Sequence, residues 1–325
     1  MEALNKLIEA IEKAKNVVIL SHVGPDGDTL GSMLAMNEML QKYNNIKKID
    51  LIISGKIPDI YRFLPRIEQT KNPNNNELYQ SYDLAIAVDC ASLDRLGDSF
   101  DLFKHAKATV NIDHHISSIK FADINIINPD ASATGQILYD IIKSLNINIT
   151  KNIATDLYTA ILTDTGGFRF ENTKPETLEI CADLIRAGAD AVHIYQECLE
   201  LKPLAMVRLQ ARAIDNAVIT DDNKIAYASI TRKFLESFNA TDDHVDGISK
   251  SLREINTVEV AIVFKETTKG DTKISFRSKN VDVCEIAKFF GGGGHKLAAG
   301  CTIQKNIADT INEVLPIVKK QISRL

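Results

Sequence analysis

Residues 17–32 read VVILSHVGPDGDTLGS: four apolar residues, a polar turn rich in Gly, Pro and Asp, and the start of a helix. VVIL (17–20) shows no polar alternation, the pattern of a parallel strand covered on both faces. A helix is expected from about Thr29 to Lys42. Strand, turn and helix in this order open a doubly wound α/β sheet, whose ligands gather at the carboxyl ends of the strands.

The same alternation extends in both directions. A helix over 2–14 precedes, with Leu4, Leu7, Ile8 and Ile11 on one face. Downstream, KKIDLIIS (47–54), LAIAVD (84–89) and ATVNID (108–113) read as strands, the last two each ending on an aspartate. Helices are expected at about 132–145, 153–162 and 176–187, the last stopped by Gly188. The result is a first domain at 1–188, α/β in class, with a doubly wound and mostly parallel sheet. Residues 189–215 carry few breakers and read as a linker helix region. Beyond it, KIAYASI (224–230), TVEVAIVFKE (257–266) and TKISFRSK (272–279) are strands, with TTKGD (267–271) as the hairpin turn between the last two. A helix at 283–290, a glycine run at 291–294, a short strand at 300–304 and a helix at 306–324 complete a smaller α/β domain at 216–325.

Composition removes several classes of partner. The 325 residues are 45% hydrophobic and 25% charged, an ordinary globular balance. Lys+Arg number 38 against 43 Asp+Glu, a net charge of −5, so long duplex nucleic acid is not an expected ligand. Neutralising many phosphates needs a broad basic surface. Five scattered cysteines without a C-x-x-C pair disfavour a disulfide scaffold or a zinc ribbon. No apolar run approaches a membrane span and the first residues lack a signal-peptide core, so no membrane partner is expected and the cytoplasm is the expected location. Oligomeric state is left open, a homodimer being one option.

Four patches place chemistry-bearing residues at strand or helix ends. His22, Asp26 and Asp28 lie in the turn after the first strand, and Asp89 ends the strand at 84–88. Asp113, His114 and His115 follow the strand at 108–112, and Asp164 stands in TDTGGFRF (163–170). A lone Asp in such a place usually caps a helix or makes a turn. Several carboxylates on one rim are a different matter, because they repel and raise each other's pKa unless a cation intervenes. Carboxylate plus imidazole without thiolate suits Mn²⁺ or Mg²⁺, with Co²⁺ and Zn²⁺ as further options. The donors exceed what one ion with open positions needs. Two ions about 3.5–4 Å apart sharing a carboxylate would use them.

SHVGPDGDTLGS (21–32), AVDC (87–90), DHH (113–115) and TDTGGFRF (163–170) resemble, in order, the four motifs of the DHH phosphoesterase superfamily. GGGGHKLAAG (291–300) is similar to the glycine-rich motif of its companion DHHA1 domain. Within the superfamily, the chain resembles the branch of oligoribonucleases (nanoRNases) that also act as pAp phosphatases. The resemblance implies a DHH catalytic domain joined by the linker helix to a DHHA1 substrate-binding domain, with two divalent ions in the first. His22, Asp26 and Asp89 would take one ion. Asp28, Asp89, His114 and Asp164 would take the other, with Asp89 as bridge. Asp113 would orient His114, and His115 would contact a phosphate oxygen, so Asp89, Asp113 and His115 are the expected catalytic residues. Gly24 stands where a larger polar or basic residue is common in the family.

The implied reaction is metal-dependent hydrolysis of very short oligoribonucleotides, pApA-type dinucleotides included, to 5′-mononucleotides, and of 3′-phosphoadenosine 5′-phosphate to AMP. A manganese-dependent inorganic pyrophosphatase and a non-catalytic nucleotide sensor are the competing readings. Four successive glycines, Gly291, Gly292, Gly293 and Gly294, are poor material for a helix or strand and are expected to form a nest of N–H groups around a phosphate. Arg277, Ser278 and His295 would join them. Between residues 277 and 296 four basic residues face two acidic ones, a positive segment in an acidic chain. Cys90 is read as core filling, Phe168 and Phe170 as core, and Arg169 as a substrate contact or a neutralising partner of the carboxylates.

Overall fold

The computed structural model describes residues 2–78, 81–220 and 222–324. Two units divide the chain at Leu201 and Lys202. The first runs α1 (Glu2–Lys13), β1 (Asn16–Leu20), α2 (Gly27–Leu40), β2 (Lys48–Ile52), β3 (Thr70–Lys71), β4 (Leu84–Val88), α3 (Phe100–Lys104), β5 (Thr109–Asp113), β6 (Ile124–Ile127), α4 (Thr134–Ser144), α5 (Lys151–Asp164), α6 (Pro175–Arg186) and α7 (Ala191–Tyr195). Its sheet has the order β3-β2-β1-β4-β5-β6. Every pairing is parallel. The order reverses between β1 and β4, and that switch point is where a doubly wound sheet opens a crevice at its strand ends.

The expected strands correspond to β1, β2, β4 and β5. β3 and β6 extend the sheet at its two edges. β3 is two residues long, and β6, whose INII is as apolar as β5, is half-buried along its whole length. α2 begins at Gly27 rather than Thr29, because the Asp26 side chain accepts the Thr29 N–H and caps the helix. Every residue of α2 is buried. Its glycines let α5 approach: a Cβ on Gly31 would lie 2.2 Å from the Asp156 carbonyl oxygen, and one on Gly27 2.4 Å from Thr163 Oγ1. A buried ion pair from Arg66 to Asp156 at 2.6 Å, with Glu38 as a second acidic partner, ties both helices to the loop before β3.

The second unit runs α8 (Leu204–Asp215), β7 (Val218–Ile219), β8 (Ile225–Ile230), α9 (Arg232–Ser237), α10 (Ile248–Arg253), β9 (Val260–Glu266), β10 (Thr272–Ser278), α11 (Val283–Phe289), β11 (Gly293–His295), β12 (Ala298–Ile303) and α12 (Ile307–Ile322). Its sheet has the order β11-β12-β10-β9-β8-β7, antiparallel except for β8 with β9. The segment read as one linker helix is broken at 201–203. Pro203 has no N–H to offer and disfavours helix at Lys202 before it. α8 then buries Leu209 and Ala213 in a core shared with Leu235, Ile248 and Val263 of the same unit. No helix among the described residues is long and apolar enough to cross a membrane.

Candidate metal centre

Three groups of His and Asp side chains come together at the β1/β4 switch point, each within metal-ligand reach: His22 with Asp26 and Asp89; Asp28 with His114 and Asp164; and Asp89 with His114 and His115. Asp89 therefore stands in two of the groups. Its oxygens face opposite ways. Oδ2 lies 3.4 Å from His22 Nε2 and Oδ1 lies 3.8 Å from His114 Nε2. His114 Nε2 is also 3.7 Å from Asp28 Oδ2 and 3.5 Å from Asp164 Oδ2.

Local structure explains the aim of each group. Asp89 follows β4 with φ +58°, while its N–H stays in the ladder by donating to Ile112 O at 2.9 Å. A short polar side chain tolerates this left-handed turn, which swings the carboxylate over the sheet edge. Asp164 is the last residue of α5, one residue beyond the Thr163 side chain that packs against Gly27. Asn172 steadies it, donating to the Asp164 carbonyl at 3.3 Å and lying 3.4 Å from Oδ2. His22 Nδ1 is 3.0 Å from Val23 O and His114 Nδ1 is 3.4 Å from Ala131 O. In both rings the outward nitrogen, Nε2, is thereby left facing carboxylates. Arg95 adds a cation at the rim, its Nη2 standing 3.1 Å from His22 Nδ1.

Electrostatics point to the same role. Burial, then repulsion from Asp89, Asp164 and Asp26, holds Asp28 well above the usual carboxylate range. Burial pushes Asp164 up to about 6, with His114 opposing and Asp89 and Asp26 adding to the rise. Carboxylates at this spacing lack a counter-charge that a divalent cation would provide. With imidazole Nε2 atoms and hard carboxylate oxygens facing one another, the residues fit such an ion.

Asp113 departs from its expected role. Its Oδ1 lies 2.7 Å from Nδ1 of His115, not against the His114 ring, and accepts the His114 backbone N–H at 2.9 Å. That hydrogen bond, opposed by burial and aided by Asp89, raises His115 to about 9. Cys90 is fully buried, its thiol donates to Ser92 O, and burial pushes it to about 12, consistent with core filling. Arg169 donates Nε to Gly166 O at 2.7 Å. Phe168 packs on the core, whereas Phe170 is 55% exposed, contrary to its expected place.

In the second unit Arg277, Ala298 and His295 lie in one row across β10, β12 and β11, so the two polar side chains share a sheet face. Arg277 lines a polar cavity of about 280 Å³ with Asp246, Ser249 and Ser275. Burial and the neighbouring Arg253 lower its pKa, with Asp246 opposing. Ser278 is removed from the candidates. Alternation turns it to the other face, where its buried hydroxyl donates to Val281 O at 2.6 Å. The glycine run is also not a free nest. Gly291 N–H and Gly292 N–H cap α11 on Lys288 O and Ala287 O, as in a Schellman turn, and Gly293 and Gly294 belong to β11. A Cβ on Gly292 would meet Gly300 O at 2.2 Å, so close strand approach accounts for the small residue.

Uncharged supports escaped the sequence reading. Thr134 N and Gly135 N donate to the two oxygens of Asp28 at 2.7 and 2.9 Å. Thr29 Oγ1 lies 2.7 Å from Asp89 Oδ2. Threonine and backbone N–H carry neither a charge nor an imidazole that would mark them in a sequence. The signal available was position, since Thr29 stands three residues after an N-cap and Thr134 opens the helix expected at 132–145.

A doubly wound domain with an aspartate and histidine rim at its switch point, followed by a second α/β unit, defines a class of metal-binding α/β protein. The chain belongs to the DHH family: the profile described as "DHH family, N-terminal domain" matches residues 16–161 and that of the DHHA1 domain matches 222–324. It is 30% identical over its full length, and over 95% of the relative, to the bifunctional oligoribonuclease and PAP phosphatase NrnA of Thermus thermophilus. The corresponding Bacillus subtilis protein is 26% identical over 92% of each chain. Among solved structures, an exopolyphosphatase-related protein from Bacteroides fragilis superposes with a TM-score of 0.90 at 25% identity, covering 99% of this chain and 96% of that one.

Proposed function

We propose that the protein is a phosphohydrolase that cleaves very short oligoribonucleotides to 5′-mononucleotides and removes the 3′-phosphate of 3′-phosphoadenosine 5′-phosphate. The observation that carries this is Asp89 facing two His/Asp groups with opposite oxygens, in a chain similar over its full length to proteins named for those two activities. His22, Asp26 and Asp89 would hold one divalent ion, and Asp28, Asp89, His114 and Asp164 a second, with Mn²⁺ the preferred metal. Such ions supply a polarised phosphoryl oxygen and an activated water.

The chain's own groups do the rest. Asp113 fixes His115 through Nδ1, leaving Nε2 as a donor to a phosphate oxygen or to the departing oxygen. Arg277 and His295, on one face of the second sheet, offer a planar guanidinium and an imidazole to a terminal phosphate. Residues 189–215 would act as the connection between the catalytic domain, 1–188, and the substrate-binding domain, 216–325. The test is a turnover panel with Mn²⁺: pApA, a labelled trinucleotide, 3′-phosphoadenosine 5′-phosphate and pyrophosphate. Hydrolysis of the first three is expected. Turnover of pyrophosphate alone would replace this reading with the pyrophosphatase one.

A further inference from the structure

Two buried hydroxyls grip Asp89 from opposite sides. Thr29 Oγ1, on α2, lies 2.7 Å from Oδ2, the oxygen that faces His22. Thr134 Oγ1, at the start of α4, lies 3.2 Å from Oδ1, the oxygen that faces His114. Both threonines have no exposed surface. Each also touches a second carboxylate of its own group. Thr29 Oγ1 is 3.1 Å from Asp26 Oδ1, and Thr134 N–H donates to Asp28 Oδ2. A hydroxyl has one proton, and the shorter contact of Thr29 directs it to Asp89.

A carboxylate without such partners can rotate and chelate a single cation with both oxygens. With one donor on each oxygen its plane is fixed, and every oxygen keeps lone-pair capacity in its outward direction. We infer that Thr29 and Thr134 are positioning residues that hold Asp89 as a bridge between two metal positions, Thr29 governing the His22 side and Thr134 the His114 side. This rests on the two-metal reading above.

The threonine-to-valine change keeps shape and removes the proton. In Thr134→Val the backbone N–H to Asp28 remains, so only the grip on Asp89 is lost. The experiment titrates metal-stripped wild type, Thr29→Val, Thr134→Val and Thr134→Ser with Mn²⁺, read by calorimetry and by the electron paramagnetic resonance signature of an exchange-coupled manganese pair. Wild type should take two ions with a coupled spectrum. Each valine variant should bind one ion about 10–100-fold more weakly and lose the coupling, as expected for loss of a group that orients a metal ligand. Thr134→Ser should restore both. Alanine variants, which add no atoms, replace any valine variant that fails to fold. Valine or alanine variants with wild-type affinities and coupling would overturn the inference while leaving the two-metal reading intact. Wild type that takes fewer than two ions overturns that reading and the inference with it.

Discussion

Nδ1 of His115 lies 2.7 Å from Oδ1 of Asp113, and the same oxygen receives the His114 backbone N–H at 2.9 Å. One buried carboxylate therefore orients the side chain of one histidine and the backbone of the histidine before it. If His115 serves the phosphoryl group, Asp113 acts through it. His115→Ala is expected to lower kcat by roughly 10²–10⁴-fold, the range for a positioned proton donor. Asp113→Asn should lower kcat less, with KM little changed. The double variant should be no slower than His115→Ala, because groups acting as a unit are not additive. Additive losses would show that Asp113 serves the site by another route.

Asp89 combines two demands, a place in two of the His/Asp groups and a left-handed backbone at φ +58°. Replacing it with Asn or Ala removes the charge in both cases, and both variants should lose turnover and the coupled metal pair. They should differ in stability. Asn tolerates the left-handed region, whereas Ala pays about 1–2 kcal/mol there. Relief of carboxylate repulsion is common to both and cancels in the comparison. Asn also keeps an oxygen that a buried threonine hydroxyl can donate to, so urea unfolding of the two metal-free variants should place Asp89→Ala below Asp89→Asn by at least about 1–2 kcal/mol. Equal midpoints would mean that the loop relaxes when the carboxylate is gone.

The charged part of the site was legible because strands end where ligands gather, and Asp89, Asp113 and His22 each stand at or just beyond the carboxyl end of a strand. What escaped had no sequence contrast. Thr29 and Thr134 look like ordinary helix-start residues, and their role appears only when α2 and α4 meet over Asp89. β3 escaped because two residues carry no pattern, whereas β6, with three isoleucines in INII, carried a strand signal that was missed. Ser278 misled for a simple reason: it adjoins Arg277, and alternation puts neighbours in a strand on opposite faces. The glycine run misled because α11 needs a cap and β12 needs room, two tertiary reasons for glycine that composition does not separate from anion binding.

Gly31 sets how closely α5 can approach α2, and so how near Asp164 comes to Asp28. Its missing Cβ would sit 2.2 Å from a backbone oxygen, an atom that cannot swing aside. Gly31→Ala gains helix propensity but forces the helices apart. A net loss of about 1–3 kcal/mol is expected, the range for overpacking a tight core. Urea midpoints measure it. Metal affinity should fall as well, since Asp28 and Asp164 ride on the two helices being separated. A variant as stable as wild type would mean that α2 is not held at this distance.

Removal of metal should make stability depend on pH in a defined direction. In the metal-free protein burial raises Asp28, and raises Asp164 to about 6, above ordinary carboxylates near 4. A raised folded value means that the folded state binds more protons than the unfolded one throughout the interval between the two values. Stability then falls as pH rises through that window, from about 4 to about 6 for Asp164. Divalent cations bind the deprotonated carboxylates and reverse the loss, so their stabilising effect grows over the same range. Thermal melts in EDTA and in Mn²⁺ should nearly coincide at pH 4.5 and separate clearly at pH 7.5. Asp164→Asn, which cannot take up the proton, should flatten the EDTA curve between those limits. An equal gain from Mn²⁺ at both pH values would show that the ion is not held by these carboxylates.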